Sequence, residues 1–171
     1  MNARHTLGLL IVAVLALSAL GNDAVGQQKT LKEQLIGTWT SVSVVETTTD
    51  GSKIDRWGPH ATGILMLDTN GHYALLITRS DLPKFASGRS DKGTAEENKA
   101  VMASLVGGFG TFTVNETDKI LITRVEGNVF PNLVGTEQKR DIAYLTGDEF
   151  KYVNRSSSTG TTTEVSWKRV R

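Results

Sequence analysis

The chain has no cysteine among its 171 residues. That excludes disulfides, thiolate nucleophiles and cysteine-based zinc sites. It also removes the cysteine on which a bacterial lipoprotein carries its lipid. A charge excess of one sign is missing too. The 19 Lys and Arg residues stand against 18 Asp and Glu, a formal net charge of +1. Both signs are scattered, no basic stripe forms, and nucleic-acid binding is not expected. No internal repeat or low-complexity tract is present. No apolar run reaches the roughly 20 residues that span a bilayer.

Signatures of catalysis are equally scarce. There is no Gly-x-Ser-x-Gly elbow, so Asp68 and His72 with a nearby serine do not amount to a nucleophilic triad. Gly107-Gly108-Phe109-Gly110 lacks the lysine and hydroxyl residue of a phosphate loop, and it follows a helical pattern where such a loop precedes one. It reads as a helix stop leading into a strand. His60 follows a proline and His72 sits beside a turn, so both read as surface residues. Without cysteine or His-x-x-x-His spacing, no metal site is expected. No cofactor is expected either.

What is present begins with an address. Arg4 and His5 form a weakly basic start. Leu7 to Leu20 is apolar apart from Gly8 and Ser18, and Ala24-Val25-Gly26 places small residues where a signal peptidase reads. Residues 1–26 therefore read as a cleavable secretory signal, with the mature chain starting at Gln27. The expected location is periplasmic or secreted, with no stable membrane anchor after cleavage. Residues 27–171 suit a single domain, and about 145 residues bury enough surface to fold without disulfides. Asn115-Glu116-Thr117 and Asn154-Arg155-Ser156 match glycosylation sequons, which matter only in a eukaryotic secretory pathway.

The mature sequence is punctuated like a β-protein. Thr30-Leu31-Lys32-Glu33 is a capping box for a short helix that ends at Gly37. Thr38 to Glu46 follows as a strand. Gly63–Asp68 and His72–Thr78 flank Asn70-Gly71, a pair suited to a tight hairpin turn with positive φ at both central residues. Thr94-Ala95-Glu96-Glu97 is a second capping box, and Asn98 to Val106 has helical spacing in Val101/Leu105 and Met102/Val106. That helix is expected to lie across one opening of the fold. Five further strands are expected at 109–115, 119–126, 136–145, 149–155 and 161–170. Short strands at even spacing with turn signals argue for a sandwich or barrel. Consecutive hairpins with a single early helix favour an eight-stranded up-and-down antiparallel barrel, which encloses room for packed side chains or one small ligand.

Alternation along each strand assigns the inward faces. Thr163, Val165, Trp167 and Arg169 form one face of the last strand. Gln138, Arg140, Ile142 and Tyr144 oppose Lys139 and Asp141, and two charges suit water better than an interior. Phe150, Tyr152 and Asn154 face inward on the same logic, as do Tyr73, Leu75 and Ile77. In the first strand Trp39 is expected to bring Ser41, Ser43 and Val45 inward. This lining mixes apolar walls with a few polar groups, as small-molecule sites do. An inward Arg140 needs acceptors, because burying an unpaired charge is costly. A ligand carboxylate or phosphate matches its fork. An internal pair with Glu137 or Glu126 would serve as well.

Three stretches carry a resemblance. Leu35-Ile36-Gly37-Thr38-Trp39, Arg79-Ser80-Asp81-Leu82-Pro83-Lys84-Phe85, and Phe130-Pro131-Asn132-Leu133-Val134-Gly135-Thr136-Glu137-Gln138-Lys139-Arg140 are similar to the bacterial lipocalin-like domain family. Gly147-Asp148 and Trp167-Lys168-Arg169 add to it. The likeness covers residues 31–170 and implies a lipocalin-type barrel. It also implies a floor closed by Arg169 over Trp39, a contact favourable by roughly 0.5–2 kcal/mol. Many members carry a histidine on the strand before the Phe-Pro-Asn turn. This chain has Ile122-Thr123-Arg124-Val125-Glu126 there, so chemistry relying on that histidine is not expected. The leading expectation is an exported protein binding a small amphipathic or hydrophobic ligand through Tyr73, Gln138, Arg140, Tyr144 and Tyr152. A cavity enzyme of isomerase, cyclase or hydratase type, or a ligand-free interaction module, are the alternatives. If the export reading holds, the intact mass of protein recovered from the periplasm or medium corresponds to a chain starting at Gln27; full-length protein in the membrane fraction would contradict it.

Overall fold

The computed structural model describes residues 28–171; the expected signal, residues 1–26, lies outside the described residues. Helix α1 (Leu31–Leu35) starts as its sequence dictates. The Thr30 hydroxyl accepts from the Glu33 N–H at 3.1 Å, and Glu33 accepts from the Thr30 N–H at 2.8 Å. Glu116, far along the chain, caps the same end by accepting from the N–H groups of Leu31 and Lys32 at 2.8 and 3.1 Å.

Nine strands follow: β1 (Gly37–Thr47), β2 (Lys53–Ile54), β3 (Ala61–Leu67), β4 (His72–Arg79), β5 (Leu105–Asn115), β6 (Ile120–Asn128), β7 (Glu137–Leu145), β8 (Glu149–Asn154) and β9 (Thr162–Arg169). Every pairing is antiparallel. From β3 onward each strand lies beside its sequence neighbour, and β1 pairs with both β3 and β9. The result is a closed eight-stranded up-and-down barrel. The unexpected β2 is a two-residue flap on the far half of β1, at Glu46 and Thr47. Among the described residues no helix is long and apolar enough to cross a membrane.

The two ends of the barrel differ. One carries α1 and the short turns 68–71, 116–119 and 146–148. Here Trp39 is fully buried and its indole N–H donates to the Leu35 carbonyl at 2.8 Å. The Arg169 guanidinium lies 3.9 Å above the Trp39 ring. It donates to the carbonyls of Gly147, Ile36 and Gln34 at 2.5, 2.8 and 2.6 Å. Gly37 (φ +138°) must be glycine, because a Cβ there would run into that guanidinium. Above this floor the rings of Trp39, Phe150, Tyr152 and Trp167 follow one another at centroid spacings of 5.6, 5.7 and 6.2 Å. Leu35, Leu65, Leu67, Phe112 and Leu121 belong to the same core.

The other end is the mouth, made by the connections 48–60, 80–104, 129–136 and 155–161. Helix α2 (Ala95–Ala103) forms from its capping box but buries none of its residues. It stops at Ser104, earlier than expected, and Gly107-Gly108 is strand and not helix stop. The reason is pairing: Leu105 to Gly108 sit opposite Thr78 to Leu75 of β4. A side chain at Gly108 would collide with Asn128 of β6. The β3–β4 hairpin also differs in detail. Gly71 (φ +89°) has positive φ but Asn70 does not. The loop closes through Asp68, which accepts from Gly71 through its carbonyl at 3.3 Å and from the His72 N–H through its carboxylate at 2.7 Å.

Two β-bulges change which side chains face inward. The β1–β9 register slips between Ser41 and Ser43. Val42 is left 64% exposed, and beyond it Val44 and Glu46 point inward in place of the expected Ser43 and Val45. The β7–β8 register slips between Ile142 and Tyr144. Tyr144, expected inside, is therefore outside and half exposed. A bulge inserts one residue into one strand, so it inverts the parity of everything after it. The remaining inward assignments hold: Tyr73, Leu75, Ile77, Ile142, Phe150, Tyr152, Val165 and Trp167 are all buried. Replacing Trp39 with Ala is expected to cost about 3–5 kcal/mol in denaturant unfolding, while Tyr144→Ser stays within about 0.5 kcal/mol, as a surface change does. The reverse order would refute this assignment of inside and outside.

Candidate functional site

The interior holds a cavity of about 70 Å³ on the mouth side of the aromatic stack. Five strands deliver polar groups to it: Tyr73 from β4, Asn128 from β6, Gln138 and Arg140 from β7, Tyr152 and Asn154 from β8, and Thr163 from β9. Leu75, Ile77, Val44, Val125 and Val165 supply apolar wall. Four of the five residues expected to bind ligand are thus brought together. Tyr144 is excluded by the β7 bulge.

Arg140 is the centre of this layer. Its Nη1 donates to the Thr123 hydroxyl at 2.6 Å, and its guanidinium carbon lies 5.5 Å from the centre of the Tyr152 ring. Thr123 itself is almost fully buried. The internal ion pair weighed from sequence is not formed. Glu126 and Glu137 are exposed, and among the described residues no carboxylate lies within 4.0 Å of Arg140. A guanidinium carries five N–H donors; the Thr123 hydroxyl takes one of them, and Arg140 lines the cavity.

The mouth contains two features that the sequence reading missed. Trp57, in the 48–60 connection, is 4% exposed and forms part of the cavity wall, and its indole N–H has no hydrogen-bond partner. Arg79 holds that connection in place: it donates to the carbonyls of Asp55 and Arg56 at 3.2 and 3.4 Å and pairs with Asp81 at 2.5 Å. The pairing raises the Arg79 pKa and lowers that of Asp81. The second feature is Glu46, 1% exposed. One carboxylate oxygen accepts from the hydroxyls of Thr159 and Thr161, both at 2.5 Å. The other has no hydrogen bond, but Arg56 Nη1 stands 3.6 Å from it. Arg56 in turn donates to the carbonyls of Ala103 and Leu105 at 2.7 and 3.5 Å and lies over the Trp57 ring at 4.6 Å. Glu46 and Arg56 thus tie three mouth connections together. No local pattern announced them. Glu46 turns inward only because of the bulge at Val42, and Trp57 stood in a stretch that reads as irregular.

Burial raises the pKa of both inward phenols, Tyr73 and Tyr152, and the Arg140 charge only partly opposes it. The folded chain therefore holds these protons more tightly than the unfolded chain. Their contribution to stability is complete below about pH 10 and is lost as pH rises beyond it. The variant Tyr144→Phe keeps only these two of the three tyrosines. Its tyrosinate absorbance is expected to appear only above pH 10, together with loss of stability; tyrosinate forming below that in the folded protein would contradict the buried placement.

The sequence profile described as the lipocalin-like domain matches residues 36–170. No curated protein matches the chain in sequence. Solved structures that resemble it include a lipocalin-like protein from Bacteroides uniformis, 11% identical, with a TM-score of 0.42 over 80% of this chain and 99% of that one. A de novo designed fluorescence-activating β-barrel is 14% identical, with a TM-score of 0.43 over 83% and 99%. A redesigned β-barrel bound to DFHBI is 18% identical, with a TM-score of 0.40 over 82% and 100%. The sequence match runs from the residue after α1 to the first residue after β9. The chain belongs to the lipocalin-like domain family.

Proposed function

We propose that this chain is an exported binding protein that holds a small amphipathic molecule in its barrel, with an acidic head at Arg140. The observation that carries this reading is the cavity-lining guanidinium with one side-chain hydrogen bond and, among the described residues, no carboxylate partner. Arg140 is half-buried, and a partly desolvated cation without a counter-charge is unfavourable. A ligand carboxylate would supply the charge and accept in the fork geometry that guanidinium offers. Tyr73, Gln138 and Tyr152 stand around the same space as further hydrogen-bonding groups. The leader-like segment 1–26 supports export, and a periplasmic or secreted site of action goes with it.

Binding is favoured over catalysis by the chemistry of the wall. Its titratable side chains are Arg56, Arg140, Tyr73 and Tyr152, with no carboxylate, histidine or lysine among them. Burial keeps the two phenols protonated. They donate hydrogen bonds but do not abstract protons near neutral pH, so the wall lacks a general base. A second reading, a surface interaction module, has one observation in its favour. Ile64, Met66, Leu76 and Phe109 are 39–57% exposed on adjoining strands of the outer wall.

The substitution Arg140→Met tests the head-group anchor. It removes a charged hydrogen bond worth about 1.5–3 kcal/mol, so affinity for an alkyl carboxylate should fall roughly tenfold to a hundredfold. Affinity for the alcohol of equal length should change little, and the melting transition should remain cooperative. Equal losses for acid and alcohol in a titration of both would remove Arg140 as anchor.

A further inference from the structure

The interior chamber alone does not accommodate the ligand proposed above. Its volume of about 70 Å³ falls far short of the roughly 300–1,000 Å³ of ordinary small-molecule sites. It has room for a head group beside Arg140 and little more. The apolar body must lie elsewhere, and the mouth offers a continuous place for it. A second cavity of about 160 Å³ adjoins the first, and Arg56, Val106, Asn128, Leu133 and Ser158 belong to both walls. Its other apolar walls are Met102, Leu105, Val129 and Phe130.

Two observations single this vestibule out. Met102 and Phe130 are 46% and 36% exposed, apolar side chains left uncovered at the rim. The barrier between the chambers is built from tethered side chains. Arg56 is held by the Ala103 and Leu105 carbonyls and by Glu46, and its guanidinium lies over the Trp57 ring. The Arg140 cation lines the inner chamber alone, while Met102, Leu105, Val129 and Phe130 line the outer one alone, and chambers of about 70 and 160 Å³ suit a slender chain.

We propose that the vestibule is an apolar subsite, and that the ligand is a monocarboxylate with a slender unbranched tail. Its head lies inward at Arg140 and its tail passes Arg56 to cover Met102 and Phe130. This rests on the reading of Arg140 as the anion's anchor. Each methylene that enters the vestibule leaves water, which is worth about a fourfold gain in affinity.

Titration calorimetry of the full-length mature protein with butyrate, octanoate and octanol tests it. Affinity should climb about fourfold per methylene from butyrate to octanoate. Met102→Glu, a change on an exposed helical turn, should weaken octanoate at least tenfold more than it weakens butyrate, and Phe130→Ser should act in the same direction. A flat chain-length series would overturn the vestibule while leaving the acidic head intact. So would equal losses for the two acids in both variants. Octanol binding as tightly as octanoate would overturn the head-group reading, and the tail assignment with it. Failure of the unaltered protein to bind either acid would overturn both.

Discussion

The contact between Arg169 and the floor carries the architecture. One guanidinium donates to the last carbonyls of α1, to the β7–β8 turn, and presses on the Trp39 ring. It thereby joins the first strand, the last strand, the opening helix and a distant turn. The carbonyls at the end of a helix have no partners within it, and an arginine from the far end of the sequence satisfies two of them. Closing this end with charge-assisted bonds leaves the other end free to be irregular. The long connections, the half-exposed apolar residues and the cavity all collect there.

Legibility in the sequence followed the same division. Features fixed by a few adjacent residues could be read directly. The two capping boxes, the Gly37-x-Trp39 opening and the parity of β4, β8 and β9 all stood as expected. Tyr144 could not be placed, because a period of two has no memory of an inserted residue. The bulge at Ala143 depends on how β7 meets β8, and Val42 in β1 poses the same problem. The end of α2 failed for a related reason. Helical spacing in Leu105 and Val106 was overruled by pairing with β4, a tertiary contact that outweighs local preference.

The polar layer of the barrel is frustrated in a directed way. Thr123 engages one arginine nitrogen, Gln138 turns its amide toward Thr136, and the tyrosines remain neutral. A barrel built for stability alone would have given Arg140 a carboxylate, as it gave Arg56 the buried Glu46. The two arginines thus divide the roles. One closes a latch across the mouth connections, and the other lines the cavity with no carboxylate partner among the described residues.

The register of the closing strands has a consequence for orientation. Trp39 stands opposite Arg169, so both ends of the barrel strands leave from the floor. The mouth faces the opposite way. A carrier surface, a fused partner or a tether attached just before α1 or just after β9 would hold the barrel like a cup by its base. The two ends are close enough in space for a short linker to join them, as circular permutation requires. New termini could then be opened in the exposed connection around Ser87-Gly88, turning the cup over while leaving its lining unchanged.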